Sequence, residues 1–133
     1  MNGILCRSYS LSADGDKEIR KNFKVKEFRC KDGFDAIIIA DDLIYWLYRV
    51  RTYFNKPVII TSAYRTPAYN AKVGGATRSQ HMYGTAADFY IKGVEPKEIA
   101  AYLETLVPNT CGIGLYDSFV HLDVRRKKTR WNG

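Results

Sequence analysis

The stretch at residues 79–88 reads Ser79-Gln80-His81-Met82-Tyr83-Gly84-Thr85-Ala86-Ala87-Asp88 and holds one of only two histidines in the chain. The other stands in Phe119-Val120-His121-Leu122-Asp123. Two imidazoles and one carboxylate, with a fourth position open, form the ligand set of a catalytic zinc. A single histidine is more often structural, so the zinc hypothesis depends on both motifs together.

The same stretch indicates how the chain folds around these residues. Gly84 and the β-type pattern after it argue against one continuous helix, so we expect His81 in a loop and Asp88 on a strand. Gly84 would also let the backbone pass close to a metal. On the last predicted strand, the spacing of two puts His121 and Asp123 on one face.

Outward from this stretch, the pattern predicts an α+β domain with a small, mainly antiparallel sheet flanked by helices. Apolar residues at three- and four-residue steps indicate helices, and β-branched runs indicate strands. Residues 1–21 are predicted to be an N-terminal arm and residues 22–133 a single domain. The expected elements are helices at 34–54, 66–73 (with Thr66 as N-cap) and 95–106, a buried strand at 58–62, a strand at 85–91, and a hairpin of 112–116 and 119–125.

The charge balance limits the classes of partner. The chain has 133 residues, 21 Lys+Arg against 14 Asp+Glu, and a net charge of +7, which favours an anionic partner. No recognition helix or basic strand interleaved with aromatics supports nucleic-acid binding, so none is expected. The basic residues near the C-terminus, 125–130, are as compatible with a solvated, frayed tail as with an anion-binding role.

The number of cysteines and the distribution of apolar residues indicate the state of the thiols and the relation of the chain to membranes. The three cysteines are odd in number and widely spaced, which predicts free thiols. No apolar run has the length of a signal peptide or a membrane span. We therefore expect a protein that is made in the cytoplasm and does not insert into a membrane. The expected oligomeric state is a monomer.

Three further polar residues are candidates for the site. Arg65 follows the 58–62 strand and could bind a substrate carboxylate, stabilise an oxyanion, or form a salt bridge with Asp88 or another acid. Ser79 could bind substrate or hold its loop. Asp123 could orient a ligand imidazole, polarise a water, act as general base, or simply pair with Arg125.

Taken together, the motifs resemble the zinc D-alanyl-D-alanine carboxypeptidase superfamily, which includes the hedgehog signalling domain, and in particular its small bacterial and phage branch. The resemblance covers roughly residues 22–131. It is carried by Ser62-Ala63-Tyr64-Arg65-Thr66-Pro67-Ala68-Tyr69-Asn70, by Ser79-x-His81-x-x-Gly84-x-Ala86-x-Asp88, and by Val120-His121-Leu122-Asp123-Val124-Arg125.

This resemblance implies a Zn²⁺ cofactor held by His81, Asp88 and His121, with Arg65 stabilising the transition state. It implies hydrolysis of peptidoglycan stem or cross-bridge peptides by a DD-carboxypeptidase or an endolysin-like endopeptidase. Several relatives have their catalytic acid or histidine two or three residues before the last zinc histidine, where this chain has Phe119 and Ser118. We expect Asp123 as the general base, with Asp117 as the alternative.

A rival interpretation follows from that departure. A domain that keeps the metal but lacks the base would be a non-catalytic zinc-containing module that binds the cell wall or has a structural role. For the enzyme, the missing secretion signal favours a phage or prophage origin, with release to the wall by a holin or a similar route.

Overall fold

The computed structural model describes residues 3–133 and shows the predicted α+β architecture. Two short 3₁₀ turns, at Val25–Phe28 and Gln80–Tyr83, supplement the regular elements. The helices are α1 (Leu11–Asp14), α2 (Asp41–Phe54), α3 (Pro67–Lys72) and α4 (Pro96–Leu106). The strands are β1 (Cys6–Ser10), β2 (Glu18–Arg20), β3 (Phe23–Lys24), β4 (Ala36–Ala40), β5 (Ile59–Ser62), β6 (Ala86–Tyr90), β7 (Gly112–Leu115), β8 (Val120–Asp123) and β9 (Thr129–Asn132).

A five-stranded sheet, in the order β5-β6-β8-β7-β9, forms the centre of the fold. Its pairs are antiparallel except for β7 and β9, which run parallel. The predicted 112–125 hairpin is confirmed as β7 and β8, and the predicted strand at 85–91 as β6. Of the helices formed by residues 3–133, none is long and apolar enough to cross a membrane.

Helices α2 and α4 close the core because each has an apolar stripe at helical spacing. Leu43, Leu47 and Val50 of α2 are fully buried, as are Ile99 and Leu103 of α4. Helix α3 starts as predicted, since the Thr66 side chain accepts a hydrogen bond from the Tyr69 amide at 3.1 Å. Helix α3 also contacts the 3₁₀ turn at Gln80–Tyr83.

The predicted helix at 34–54 is wrong at its beginning. Residues 36–40 read Ala-Ile-Ile-Ile-Ala and form β4, and the helix starts only at Asp41. Three consecutive β-branched residues suit a strand, and the two acidic residues after them suit the positive end of the helix dipole. The apolar spacing at 36–40 resembles that of a helix, but these residues pair with β1 and form a strand instead.

The pairing partner of β4 comes from the segment predicted to be an arm. Strand β1 pairs antiparallel with β4 along its whole length, from Cys6 opposite Ala40 to Ser10 opposite Ala36. Residues 11–20 then form α1 and β2, and Leu11 and Ile19 pack against the core. From residue 3 onwards this segment is therefore folded onto the core; Met1 and Asn2 of the predicted arm lie outside the described residues.

Two other segments differ from the expectation. Strand β5 lies at the edge of the central sheet and is partly exposed, rather than buried on both faces. The basic C-terminal stretch is not frayed, because Thr129–Asn132 form β9 beside β7. Arg130 fixes β9 to the core through bonds to the carbonyls of Cys111 and Val107, both at 2.7 Å.

Candidate metal centre

Strand register brings the chemically reactive side chains to one face of the central sheet. Asp88 on β6 lies opposite His121 on β8, and Ala86 lies opposite Asp123. His81 reaches the same place from the 3₁₀ turn at Gln80–Tyr83. The turn is anchored at its start by the Ser79 hydroxyl, which accepts from the His81 amide at 3.2 Å.

The structure thus brings together the three residues predicted to bind zinc, here called the His–Asp–His cluster (His81, Asp88 and His121). One nitrogen of each histidine and one carboxylate oxygen all lie within 4.8 Å of one another. The Asp88 Oδ1 atom is 3.3 Å from His81 Nε2 and 2.8 Å from His121 Nδ1. A spacing of this order allows one ion to contact all three atoms.

Each imidazole is oriented by a partner on its other nitrogen. His81 Nδ1 is 2.7 Å from the Ala63 carbonyl oxygen, which only accepts, so Nδ1 donates and Nε2 is the nitrogen that faces the cluster. His121 Nε2 lies 2.8 Å from Asp123 Oδ2, which leaves Nδ1 facing Asp88. Such outer partners fix the tautomer of metal-binding histidines.

The electrostatics of the cluster fit a cation. Burial lowers the pKa of His121, but its hydrogen bonds with Asp123 and Asp88 outweigh burial, and the net pKa is raised above its ordinary value. Burial raises the pKa of Asp88, but the bonds with His121 and His81 hold it well below its usual range. Lone pairs and a carboxylate oxygen that converge in this way need a proton or a metal ion between them, so the donor set fits zinc.

Asp123, the predicted general base, sits behind His121 rather than in front of it. Its side chain is fully buried, and its two oxygens accept from His121 Nε2, from the Arg125 guanidinium at 2.8 and 2.7 Å, and from the Arg125 amide at 3.1 Å. Burial raises the pKa of Asp123, but His121 and Arg125 lower it to about 2. These contacts do not place Asp123 where it could take a proton from a water in front of the cluster.

An open cavity of about 350 Å³ exposes the cluster on the side away from Asp123. The predicted candidates Arg65 and Ser79 line it, whereas the exposed Asp117 lines a different cavity beside α4. The other lining residues are Ala76, Arg78, Gln80, Tyr116, Arg125 and Trp131. Apart from Asp88, no carboxylate among residues 3–133 lines this cavity.

Arg65 is held at the cavity edge by neutral groups. Its Nε donates to Ser62 Oγ and its Nη1 to Asn70 Oδ1, both at 3.3 Å, and its backbone amide donates to the His81 carbonyl at 3.0 Å. None of the ion pairs formed within residues 3–133 includes Arg65, so the salt bridge considered for it is not formed. Its charge is available to an anionic group in the cavity.

Two glycines of β7 leave space on the sheet face for the side chains of the site. The sequence analysis did not identify them. A Cβ at Gly112 would lie 2.4 Å from the Asp123 carboxylate, and one at Gly114 would lie 2.6 Å from the Trp131 ring. The Gly-x-Gly alternation in a predicted strand is the signal that could have revealed them, since glycine there often marks a close approach. Through this gap Trp131 crosses to within 5.0 Å of the His121 ring, measured between centroids.

Gly84 has a different role from the one predicted. Its φ is +75°, and a Cβ there would lie 2.3 Å from the Ile38 carbonyl oxygen of β4. Glycine is thus needed for the left-handed backbone and for the approach of β4, not for the approach of a metal. The Gly84 carbonyl accepts from the Ala40 amide at 2.9 Å, which joins the end of β4 to the loop of the cluster.

Comparison with known proteins agrees with this geometry. A family model described as Peptidase M15 matches residues 19–123. The chain belongs to the peptidase M15 family. It is also 47% identical over 34 residues to the zinc D-Ala-D-Ala carboxypeptidase of Streptomyces albus G, a match that covers 26% of this chain and 13% of that protein.

Membership of the peptidase M15 family confirms the predicted resemblance. The matched residues include the whole His–Asp–His cluster and end at Asp123, so β9 with Trp131 lies outside them. Because the chain spans only a small part of its curated relative, the relative's own activity does not pass to this chain without further argument.

Proposed function

We propose that this M15 family member is a zinc-dependent peptidase that hydrolyses peptide bonds in peptidoglycan stem or cross-bridge peptides, as a DD-carboxypeptidase or an endopeptidase. The observation that carries the proposal is the convergence of His81, Asp88 and His121 on the floor of an open cavity. The match to a zinc D-Ala-D-Ala carboxypeptidase supports the choice of substrate class.

Zinc would be held by His81 Nε2, one oxygen of Asp88 and His121 Nδ1. A bound zinc polarises a carbonyl oxygen and lowers the pKa of a water towards neutrality. Because the bound water would lose its proton more easily, a weaker base would suffice to activate it. Asp123 would then orient His121 and raise its basicity, one of the roles considered for it from the sequence.

Arg65 would supply positive charge where the substrate reacts. Its guanidinium is fixed by Ser62 and Asn70 and has no acidic partner among residues 3–133. In this role it either binds a carboxylate of the stem peptide or stabilises the oxygen of the scissile carbonyl as negative charge develops there. Ser79 holds the loop of His81 and lines the same cavity, from which it would also contact substrate.

The positive net charge of the chain suits a substrate that lies in an anionic cell wall. A net charge of +7 favours association with an anionic wall polymer. We infer an endolysin-like enzyme that reaches the wall by phage-mediated or holin-type release and acts as a monomer. Fractionation of infected or induced cells, with and without holin, would test that route.

The activity is tested by mass spectrometry of fragments released from purified sacculi by zinc-loaded protein, beside a chelator-treated sample. We expect zinc-dependent release of stem or cross-bridge fragments whose masses identify the bond cut. His81→Ala and Asp88→Ala should abolish release and lower bound zinc below one equivalent. Full activity of metal-free protein would exclude the proposed mechanism.

One observation favours a second candidate, a non-catalytic zinc module of the cell wall. Asp88 alone among the acids of residues 3–133 lines the cavity, so no carboxylate stands ready as a base. Binding to sacculi with zinc present, but without release of any fragment across several wall chemotypes, would favour this alternative.

A further inference from the structure

We propose that the Tyr116 hydroxyl is a catalytic group of this site, donating a hydrogen bond to the scissile carbonyl oxygen as negative charge develops on it. This inference rests on the proposed peptidase function and names a residue that the sequence motifs did not indicate.

Strand geometry places Tyr116 on the reactive face. The register aligns Gly114 with His121 on one side and with Trp131 on the other. Tyr116 directly follows β7, two residues after Gly114, and its amide still donates to the Phe119 carbonyl at 3.1 Å, so the two-residue alternation of side chains extends to it. Tyr116 accordingly lines the same cavity as His81, Asp88 and His121.

The phenol is held in place by two aromatic neighbours. Its ring stacks on Phe119, with centroids 4.3 Å apart and planes 8° from parallel. Its hydroxyl oxygen accepts a hydrogen bond from Trp131 Nε1 at 3.0 Å. Trp131 itself lies in contact with His121, so the phenol oxygen is anchored beside the cluster rather than free to rotate into solvent.

The direction of the Trp131 bond determines what the hydroxyl can do. An indole N–H only donates, so the Tyr116 oxygen is the acceptor and its own proton must point elsewhere. No group within residues 3–133 accepts that proton. A fixed phenol whose proton has no acceptor among the described residues, at the wall of the cavity that exposes the His–Asp–His cluster, is available to donate to a ligand oxygen.

The proposed role of Tyr116 adds one hydrogen-bond donor to the reaction and requires no redox partner and no further proton donor or acceptor. In hydrolysis the water oxygen bonds to the carbonyl carbon and the C–N bond breaks; one of the two water protons passes to the leaving nitrogen and the other stays with the new carboxyl group. Tyr116 keeps its own proton throughout and shares it with the carbonyl oxygen, most strongly when that oxygen is anionic. The role predicts an effect on kcat rather than on KM, because the bond strengthens in the transition state.

The test compares Tyr116→Phe with wild type and with Tyr53→Phe, an exposed tyrosine of α2 that serves as a matched control. We expect Tyr116→Phe to lower kcat about 100- to 1000-fold, as loss of one oxyanion donor does, with KM and bound zinc unchanged. Trp131→Phe, which removes the anchoring N–H together with part of the ring that lies beside His121, should also lower kcat. Tyr53→Phe should behave as wild type.

A second readout does not depend on turnover. A phosphinate analogue of a D-Ala-D-Ala stem peptide mimics the tetrahedral oxyanion, and calorimetry should show its affinity falling with Tyr116→Phe by the same factor as kcat. The affinity for the ground-state product peptide should not change. Wild-type kcat and wild-type phosphinate affinity in Tyr116→Phe would overturn the role of Tyr116 while leaving the peptidase intact. Absence of hydrolysis by the wild type would overturn both.

Discussion

Asp123 contacts His121 on the side away from the cavity, with 2.8 Å between Asp123 Oδ2 and His121 Nε2. The opposite nitrogen of the same ring faces Asp88 at 2.8 Å. The imidazole is thus held between two carboxylates, one in the His–Asp–His cluster and one behind it. This arrangement makes Asp123 a positioning residue for one histidine of the His–Asp–His cluster and leads to the first prediction.

Asp123→Asn should weaken zinc binding about 10- to 100-fold, as loss of an outer partner of a metal ligand does. At saturating zinc, kcat should stay near that of wild type, because Asp123 does not face the substrate. Competition with a chromogenic chelator measures the affinity, and zinc-saturated assays measure kcat. Unchanged zinc affinity together with a large loss of kcat would restore the general-base role instead.

Asp117→Asn should change neither zinc affinity nor kcat. The side chain is exposed and lines a cavity beside Glu95 and Lys97, not the cavity of the cluster. The same two assays check this expectation. A marked loss of kcat would mean that the turn between β7 and β8 folds inward during the reaction.

Zinc should stabilise the protein more at about pH 8 than at about pH 6. In the metal-free protein the pKa of His121 is raised, so the stability it contributes is fully present below its unfolded value of about 6.5 and is lost as pH rises through the folded pKa. Zinc must displace that proton, and this displacement costs more at low pH. Scanning fluorimetry with and without zinc measures the increment in Tm at each pH; equal increments would contradict the prediction.

Arg65→Ala should lower kcat/KM about 100-fold or more, the range found on removing a donor to a developing oxyanion, without loss of zinc. Arg65→Lys should recover little, because lysine lacks the planar fork that Ser62 and Asn70 hold in place. Arg29→Ala is a matched control, since Arg29 is exposed and lines another cavity. Equal activity of the Lys variant and wild type would show that charge alone suffices.

Gly84→Ala should destabilise the fold more than Gly74→Ala. Both glycines have a left-handed backbone, with φ of +75° and +71°, which costs an alanine about 1–2 kcal/mol. Only at Gly84 would the added Cβ meet backbone, the Ile38 carbonyl; at Gly74 nothing lies within 4 Å. The clash should add about 1–3 kcal/mol, measured as the difference between the two free energies of unfolding in urea.

Much of the site could be predicted from local sequence. The His81 and Asp88 motif, the Thr66 cap and the β7–β8 hairpin depend on residues close together in the chain, whose periodicity and turn signals are readable without a structure. Membership of the M15 family agrees with that prediction. The same local signals gave the positions of α3, α4 and β6 to within a residue or two.

Pairings between distant segments could not be predicted in this way. Strand β1 pairs with β4 some thirty residues later in the chain, so local helix periodicity at 36–40 gave the wrong element. Strand β9 adds to β7 in parallel, so that Trp131 reaches His121 and anchors Tyr116.

The sequence by itself determined which residue types are suited to binding zinc and on which elements they lie. Only the tertiary structure decided that Asp123 points away from the cavity and that Tyr116 points into it. The spacing of two put His121 and Asp123 on one face, but it could not show which neighbour each oxygen of Asp123 would meet. That choice depends on Arg125, on the space left by Gly112, and on burial, all of which arise only when the strands are packed together.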